Sequence, residues 1–138
     1  MSITATANLQ AALESAAAVR PRVGGFPYFA EALRQAGVTG IRMVVPSNAA
    51  LYLTDAGPVA AQGEPLVTGM VDVAPFDRAA LIAALRADQA GETDFPEFLR
   101  GCWKAGITRF DVDLAARTCT YHGADGDSYI ETYPAVGI

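Results

Sequence analysis

The apolar residues of the second half recur at helical spacing in two stretches, one after Asp77 and one after Asp94. Aspartate at these positions can accept hydrogen bonds from the free amides of a first helical turn. Glu97, three residues after Asp94, completes a capping-box pattern, and Gly106 provides a C-terminal stop. We therefore predict two helices, with apolar positions at Leu81, Ile82 and Leu85 in the first and Phe95, Phe98, Leu99, Cys102 and Trp103 in the second.

The first half carries a looser version of the same pattern. Asn8 is the predicted cap of its first helix, and Gly37 is the predicted stop of its second. The stretch from Val19 to Gly25 contains Pro21 and two glycines, which are typical of a loop. The apolar positions of the two predicted helices are Leu9, Leu13, Ala16 and Ala17, then Phe26, Phe29, Leu33 and Ala36.

Beyond Gly106 the apolar residues alternate, as they do in strands. Asp125-Gly126 is typical of a two-residue type I′ hairpin turn, and a further turn spans 114–117. The two turns predict one register across three strands. The predicted pairs are Phe110 with Tyr121, Val112 with Cys119, Asp111 with Thr120, Tyr121 with Ile130, His122 with Tyr129 and Thr120 with Glu131.

This register assigns a face to every strand residue. The core side is predicted to hold Phe110, Val112, Cys119, Tyr121 and Ile130. The opposite side is predicted to hold Arg109, His122 and Tyr129 in one row, Asp111, Thr120 and Glu131 in the next, and Asp113, Thr118 and Tyr133 in a third.

The two halves align without a gap at an offset of 69 residues. We therefore predict an α+β fold of two pseudo-symmetric halves, 1–69 and 70–138, each helix-helix-strand-strand-strand, in one domain with antiparallel strands packed on helices. The identical pairs are Phe26/Phe95, Pro27/Pro96, Phe29/Phe98, Ala36/Ala105, Gly37/Gly106, Thr39/Thr108, Tyr52/Tyr121, Gly57/Gly126, Pro65/Pro134 and Val67/Val136.

The outer sheet face of the first half is predicted to be largely aliphatic, with Val44, Leu51 and Leu53 around Arg42. Clustered exposed aliphatic residues mark partner surfaces, so these three are a candidate interface for a homodimer or another protein. The alternative is that the connection 58–65, or a strand over 66–73, covers them from within the chain.

Composition narrows the function classes. The chain has 138 residues, a formal charge of −5 and scattered basic residues, which argue against nucleic-acid binding. No apolar stretch is long enough for a membrane span, and the N-terminus lacks signal-peptide features. Cys102 and Cys119 are too few for a disulfide framework, and their spacing fits no zinc site. We expect a cytoplasmic protein without a cofactor or metal.

Three segments resemble an uncharacterised bacterial family, domain of unknown function 1398. They read GFPYFAEALRQAGVT, ALIAALRADQAG and FPEFLRGCWKAGITRFDVDLAARTCTYHGADGDSYIETYP. The stretch from Phe110 to Glu131 is the most specific part, although Asp127 stands where the family pattern suggests Glu. Some members carry the label phage envelope protein. The resemblance implies a self-contained domain and supplies no catalytic residues.

Candidate chemistry lies on the polar outer face. His122 is the single histidine, and a general-base role would need it beside Arg109 and Tyr129 in a pocket. Asp111 and Glu131 would flank Thr120 and could share a proton or an ion. The simpler interpretation is a solvated sheet face.

Two functions from different classes follow. The first is a non-catalytic binding or interaction module that uses the aliphatic face. The second is a small hydrolase- or isomerase-type enzyme that uses the polar face. We favour the first, because the chain shows no nucleophile motif, phosphate loop or dinucleotide fingerprint.

Overall fold

The computed structural model describes residues 3–138 of the chain. Two helices and three strands are followed by a second set of two helices and three strands, which confirms the predicted α+β class. The elements are α1 (Ile3–Val19), α2 (Phe26–Gln35), β1 (Val38–Val44), β2 (Ala49–Thr54), β3 (Val59–Gln62), α3 (Arg78–Gln89), α4 (Phe95–Lys104), β4 (Ile107–Asp113), β5 (Thr118–Gly123) and β6 (Ser128–Thr132).

The strands form one six-stranded antiparallel sheet in the order β3-β2-β1-β4-β5-β6. The central pair, β1 and β4, places Arg42 opposite Asp111, which are themselves 69 residues apart. The bounds of α2, β1 and β2 also recur in α4, β4 and β5 at this offset. A duplication would produce this arrangement, and superposing 1–69 on 70–138 is the direct test of that prediction.

The predicted helix signals of the second half are confirmed. The Asp77 side chain accepts a hydrogen bond from the amide of Ala80 at 3.0 Å. Asp94 and Glu97 form the reciprocal capping box at the start of α4. Gly106, the stop after α4, has φ +82°, a conformation that only glycine adopts at little cost. The chain therefore leaves α4 directly into the central strand β4.

The predicted start of α1 is wrong. The helix begins at Ile3, so Asn8 lies inside it rather than capping it. Ala5 in this added segment is buried, and its Cβ lies 3.7 Å from the position that a Cβ on Gly57 would occupy. Packing against the turn before β3 therefore outweighs the local capping preference of asparagine.

One core lies between the helices and one face of the sheet. Leu33, Leu81, Leu99 and Ile107 are fully buried in it. A row of paired residues on this face crosses the sheet as Val59, Tyr52, Ile41, Val112, Cys119 and Glu131. Phe29 and Phe98 hold the same position in α2 and α4, but Phe98 is buried whereas Phe29 is only partly so. The second half thus packs more tightly around its aromatic residues.

The predicted register between β4 and β5 is confirmed, whereas that between β5 and β6 is wrong by one residue. Tyr121 pairs with Tyr129, and Thr120 pairs with Ile130. The amide of Gly123 donates to the carbonyl of Asp127 at 2.8 Å, so the hairpin loop has three residues rather than two. Within that loop only Gly126 has positive φ, which excludes a type I′ turn at Asp125-Gly126.

A slip of one residue exchanges the two faces of β6. Ile130, predicted to lie in the core, is 61% exposed on the outer face. Tyr129, Glu131 and Tyr133, predicted to lie outside, are on the side of the core and the helices. The polar cluster proposed from sequence is therefore divided between the two sides of the sheet.

Candidate functional site

The outer face of the sheet, opposite the helices, is the first candidate site. Its central row crosses all six strands as Ala60, Leu51, Arg42, Asp111, Thr120 and Ile130. The face is a shallow concavity of about 960 Å³ between β3 and β5. Antiparallel sheets can leave one face to solvent, but such faces are usually polar. Here only the half formed by β4 and β5 is polar.

The polar half keeps three of the five residues proposed for catalysis. His122 Nε2 lies 3.3 Å from Asp111 Oδ2, and Arg109 Nε lies 3.7 Å from the same oxygen. All three side chains are partly exposed. The carboxylate can orient the imidazole and offset the positive charge of the guanidinium, an arrangement in which an acidic side chain holds a histidine base in place. Thr120, paired with Asp111, supplies the adjacent hydroxyl group.

Tyr129 and Glu131, the other two candidates, do not join this cluster. Glu131 Oε1 accepts hydrogen bonds from Arg86 at 2.6 Å and from Gln89 at 3.0 Å, which ties β6 to α3. The guanidinium of Arg78 lies 5.1 Å from the ring centroid of Tyr129. The shared-proton or shared-ion site of Asp111 and Glu131 is therefore wrong, because the sheet separates the two carboxylates.

The aliphatic half contains the predicted interface residues. Val44 is 45% exposed, and Leu51 and Leu53 are partly exposed. The connection 58–65 does not cover them, because its β3 extends the sheet sideways by pairing with β2. The segment 66–73 is not a strand, and none of its residues lines the concavity. Both forms of cover from within the chain are thus contradicted for the described residues.

The second candidate site is a cleft of about 640 Å³ on the opposite side of the sheet. It opens between the loop that joins α1 to α2 and the loop that joins α3 to α4. These loops meet where the amide of Gly24 donates to Gln89 at 2.8 Å and Arg22 Nε donates to the carbonyl of Gly91 at 3.2 Å. Seven of the residues that line the cleft are aromatic, namely Phe26, Phe29, Phe95, Phe98, Phe110, Tyr121 and Tyr133.

Sequence reasoning did not find this cleft. Its floor includes Glu131 and Tyr133, which the mistaken hairpin register had placed on the outer face. Its other walls come from two loops that are far apart in sequence. The usable signal was the aromatic content of the stretches that begin with Phe26-Pro27 and Phe95-Pro96, since binding clefts are commonly lined by aromatic side chains.

Burial makes the thiols poor nucleophiles. It raises the pKa of both Cys102 and Cys119 to about 12, and both cysteines are free. Within residues 3–138 no group of three or more His, Cys, Asp or Glu side chains is placed to hold a metal ion. No helix in that range is long and apolar enough to cross a membrane.

Comparison with known proteins places the chain in a family. Residues 16–132 match the family described as "Protein of unknown function (DUF1398)". Uncharacterized proteins of Mycobacterium bovis and Mycobacterium tuberculosis are each 53% identical to the chain over 129 residues, which cover 94% of this chain and 79% of the relative. The chain therefore belongs to the DUF1398 family, as its sequence resemblance predicted, and its relatives are bacterial.

Proposed function

We propose that this protein is a non-catalytic binding module whose outer sheet face pairs with a second copy of the same chain. The observation that carries the proposal is the uncovered aliphatic half of that face, where Val44 alone leaves 45% of its surface in solvent beside Leu51 and Leu53. Contiguous apolar surface of this kind usually marks an interaction site.

Charge favours a second copy as the occupant. The chain has a formal charge of −5, so most approaches between two copies are repulsive. The outer face, however, carries Arg42 and Arg109 against Asp111 and Asp113, and these four formal charges cancel. It is therefore a face on which two acidic chains can meet without net repulsion.

The dimensions of the sheet set the expected strength. Six strands about 4.8 Å apart and roughly 20 Å long give a footprint of roughly 600 Å². A standard stable interface buries about 800 Å² on each partner. We therefore expect a twofold dimer that dissociates on dilution.

The test is a charge placed inside the aliphatic patch. Leu53→Glu should weaken dimerisation at least about tenfold, because it desolvates a carboxylate against apolar surface. Ala83→Glu is the matched control, since it adds the same charge at an exposed position of α3, on the other side of the sheet. Equal dissociation constants for the two folded variants, measured by sedimentation, would refute the sheet-face dimer.

A second candidate, a small hydrolase- or isomerase-type enzyme, rests on the contact of His122 with Asp111 at 3.3 Å. With p-nitrophenyl acetate as a probe, the hydrolase form of this function requires hydrolysis that His122→Ala abolishes and Leu53→Glu leaves intact. Hydrolysis no faster than the buffer rate, or equal in both variants, would argue against it.

The cytoplasm is the compartment we propose for either function. Two free, buried thiols are compatible with a reducing environment, and the acidic balance of the chain does not suit a nucleic-acid partner.

A further inference from the structure

The cleft on the helix side of the sheet is not used by the proposed dimer, because it lies on the opposite side of the sheet. Its volume of about 640 Å³ falls within the range of small-molecule sites, about 300–1,000 Å³. Seven aromatic residues line it, with Phe98 edge-on to Phe110 at 6.3 Å and to Tyr121 at 6.5 Å. A cleft of this kind suits a ligand with a flat apolar body.

Two polar atoms in the lining have no hydrogen-bond partner within residues 3–138. They are Oε2 of Glu131 and the hydroxyl oxygen of Thr93, and both are buried. Leaving a buried polar atom without a partner is unfavourable, and more so for a charged group. Since a carboxylate oxygen can only accept, a ligand that satisfies Glu131 must bring an N–H or O–H donor.

The hydrogen bonds that Glu131 makes in the structure use only one of its two carboxylate oxygens and leave Oε2 as an acceptor. Arg86 and Gln89 both donate to Oε1, so the carboxylate is held by one oxygen while the other points elsewhere. Because Oε2 is shielded from solvent, a ligand donor reaches it only when the carboxylate turns toward the cleft that Glu131 lines.

The charge of the lining selects the sign of the ligand. Five acidic residues line the cleft, Asp88, Glu92, Asp94, Glu97 and Glu131, against two arginines, Arg20 and Arg22. Arg86 pairs with Glu131 from outside the lining, and including it still leaves a net formal charge of −2. Arg22 donates a hydrogen bond to the carbonyl of Gly91 at the mouth and keeps its positive charge. The guanidinium of Arg20 lies 5.4 Å from the ring centroid of Phe29, within the range at which an aromatic ring attracts a cation.

We propose that the cleft binds a small organic cation, an ammonium group on an aromatic body, with the rings holding the body and the Glu131 carboxylate receiving the ammonium. Partial burial raises the pKa of the nearby Asp88 carboxyl, as expected for an apolar cavity that a positive charge would stabilise.

Three probes with the same ring test the proposal. They are 2-phenylethylamine, 2-phenylethanol and phenylacetate, each titrated into ¹⁵N-labelled protein and followed by amide chemical shifts. We expect the amine to bind at least about tenfold more tightly than phenylacetate, with shifts at Gly91, Thr93, Phe98 and Glu131. Salt should weaken the binding of the amine more than that of the alcohol.

Glu131→Gln tests the assigned acceptor, because it keeps the shape of the side chain and removes its charge. It should weaken amine binding at least about tenfold and leave 2-phenylethanol binding unchanged. Asp72→Asn, in an exposed segment outside the cleft, is the control for the loss of one negative charge and should change neither. The wild-type comparison stands even if Glu131→Gln fails to fold. Binding of phenylacetate as tight as that of the amine, shifts outside the cleft, or no binding by any probe would overturn the proposal.

Discussion

Replacing Phe98 by Ala tests the packing of α4 on the sheet. The Phe98 ring is 7% exposed and packs against Phe110 and Tyr121. Truncating a buried Phe costs about 3–5 kcal/mol. Because Phe98 also lines the cleft, water can enter the space left behind, so we expect the lower end, about 3 kcal/mol. At roughly 3–5 °C per kcal/mol for a chain of this length, Tm should fall by about 9–15 °C.

Phe95→Ala is the matched control, with the same substitution on the same helix. Phe95 is 46% exposed, so its truncation should cost about 1 kcal/mol or less. Urea unfolding followed by far-UV circular dichroism measures both free energies of unfolding. Equal costs for the two variants would show that α4 does not present its Phe98 side to the core, and the account of the second half would have to be abandoned.

Three further predictions concern stability. Ile130→Ala should cost less than about 1 kcal/mol by urea unfolding, because the side chain is 61% exposed, whereas a core position would cost about 2–5 kcal/mol. Gly106→Ala should cost more than Gly126→Ala in the same assay. Both have positive φ, but a Cβ on Gly106 would lie 2.5 Å from the carbonyl oxygen of Pro75, while one on Gly126 meets nothing within 4 Å. Similar costs for the two glycine variants would contradict the close approach of the Pro75 carbonyl to Gly106. Hydrogen bonds, chiefly from the nearby guanidinium of Arg34, lower the pKa of Glu31 from 4.5 to about 2. The stabilisation is therefore complete above pH 4.5 and is lost as pH falls toward 2, so Glu31→Gln should flatten this part of the acid unfolding profile; an unchanged profile would contradict the ion pair.

Local chemistry made most of the second half predictable. The three-residue spacing of Asp94 and Glu97 predicts a capping box, and the structure contains it. Gly106 ends α4 because only glycine reaches φ +82° cheaply. The register of β4 on β5 followed from alternation, since a slip would have placed Asp111 in the core.

The hairpin between β5 and β6 shows where such reasoning fails. Asp125-Gly126 fits both a two-residue type I′ turn and a three-residue loop with glycine at its left-handed position. The alternation of Tyr129, Ile130 and Glu131 did not decide between them, because apolar and polar residues stand on both faces of this edge strand. The structure pairs Glu131 with Arg86 on α3, a partner 45 residues away that no local pattern reveals.

Reliance on local sequence also explains why one candidate site was predicted and the other was not. The aliphatic patch was predictable, because Val44 on β1 and Leu51 and Leu53 on β2 occupy alternating positions that face away from the core. The cleft was not, because it depends on two distant loops meeting at Arg22 and Gly91. Tertiary contacts of this kind are set by the packing of whole elements rather than by local sequence.

The central claim is that the outer sheet face joins two copies of the chain, and sedimentation equilibrium of the wild-type protein over a wide concentration range tests it most directly. We expect a reversible equilibrium between a 14.4 kDa monomer and a dimer of twice that mass, which shifts toward the monomer on dilution. A single 14.4 kDa species at every concentration would contradict the claim and leave the aliphatic face without the occupant proposed for it.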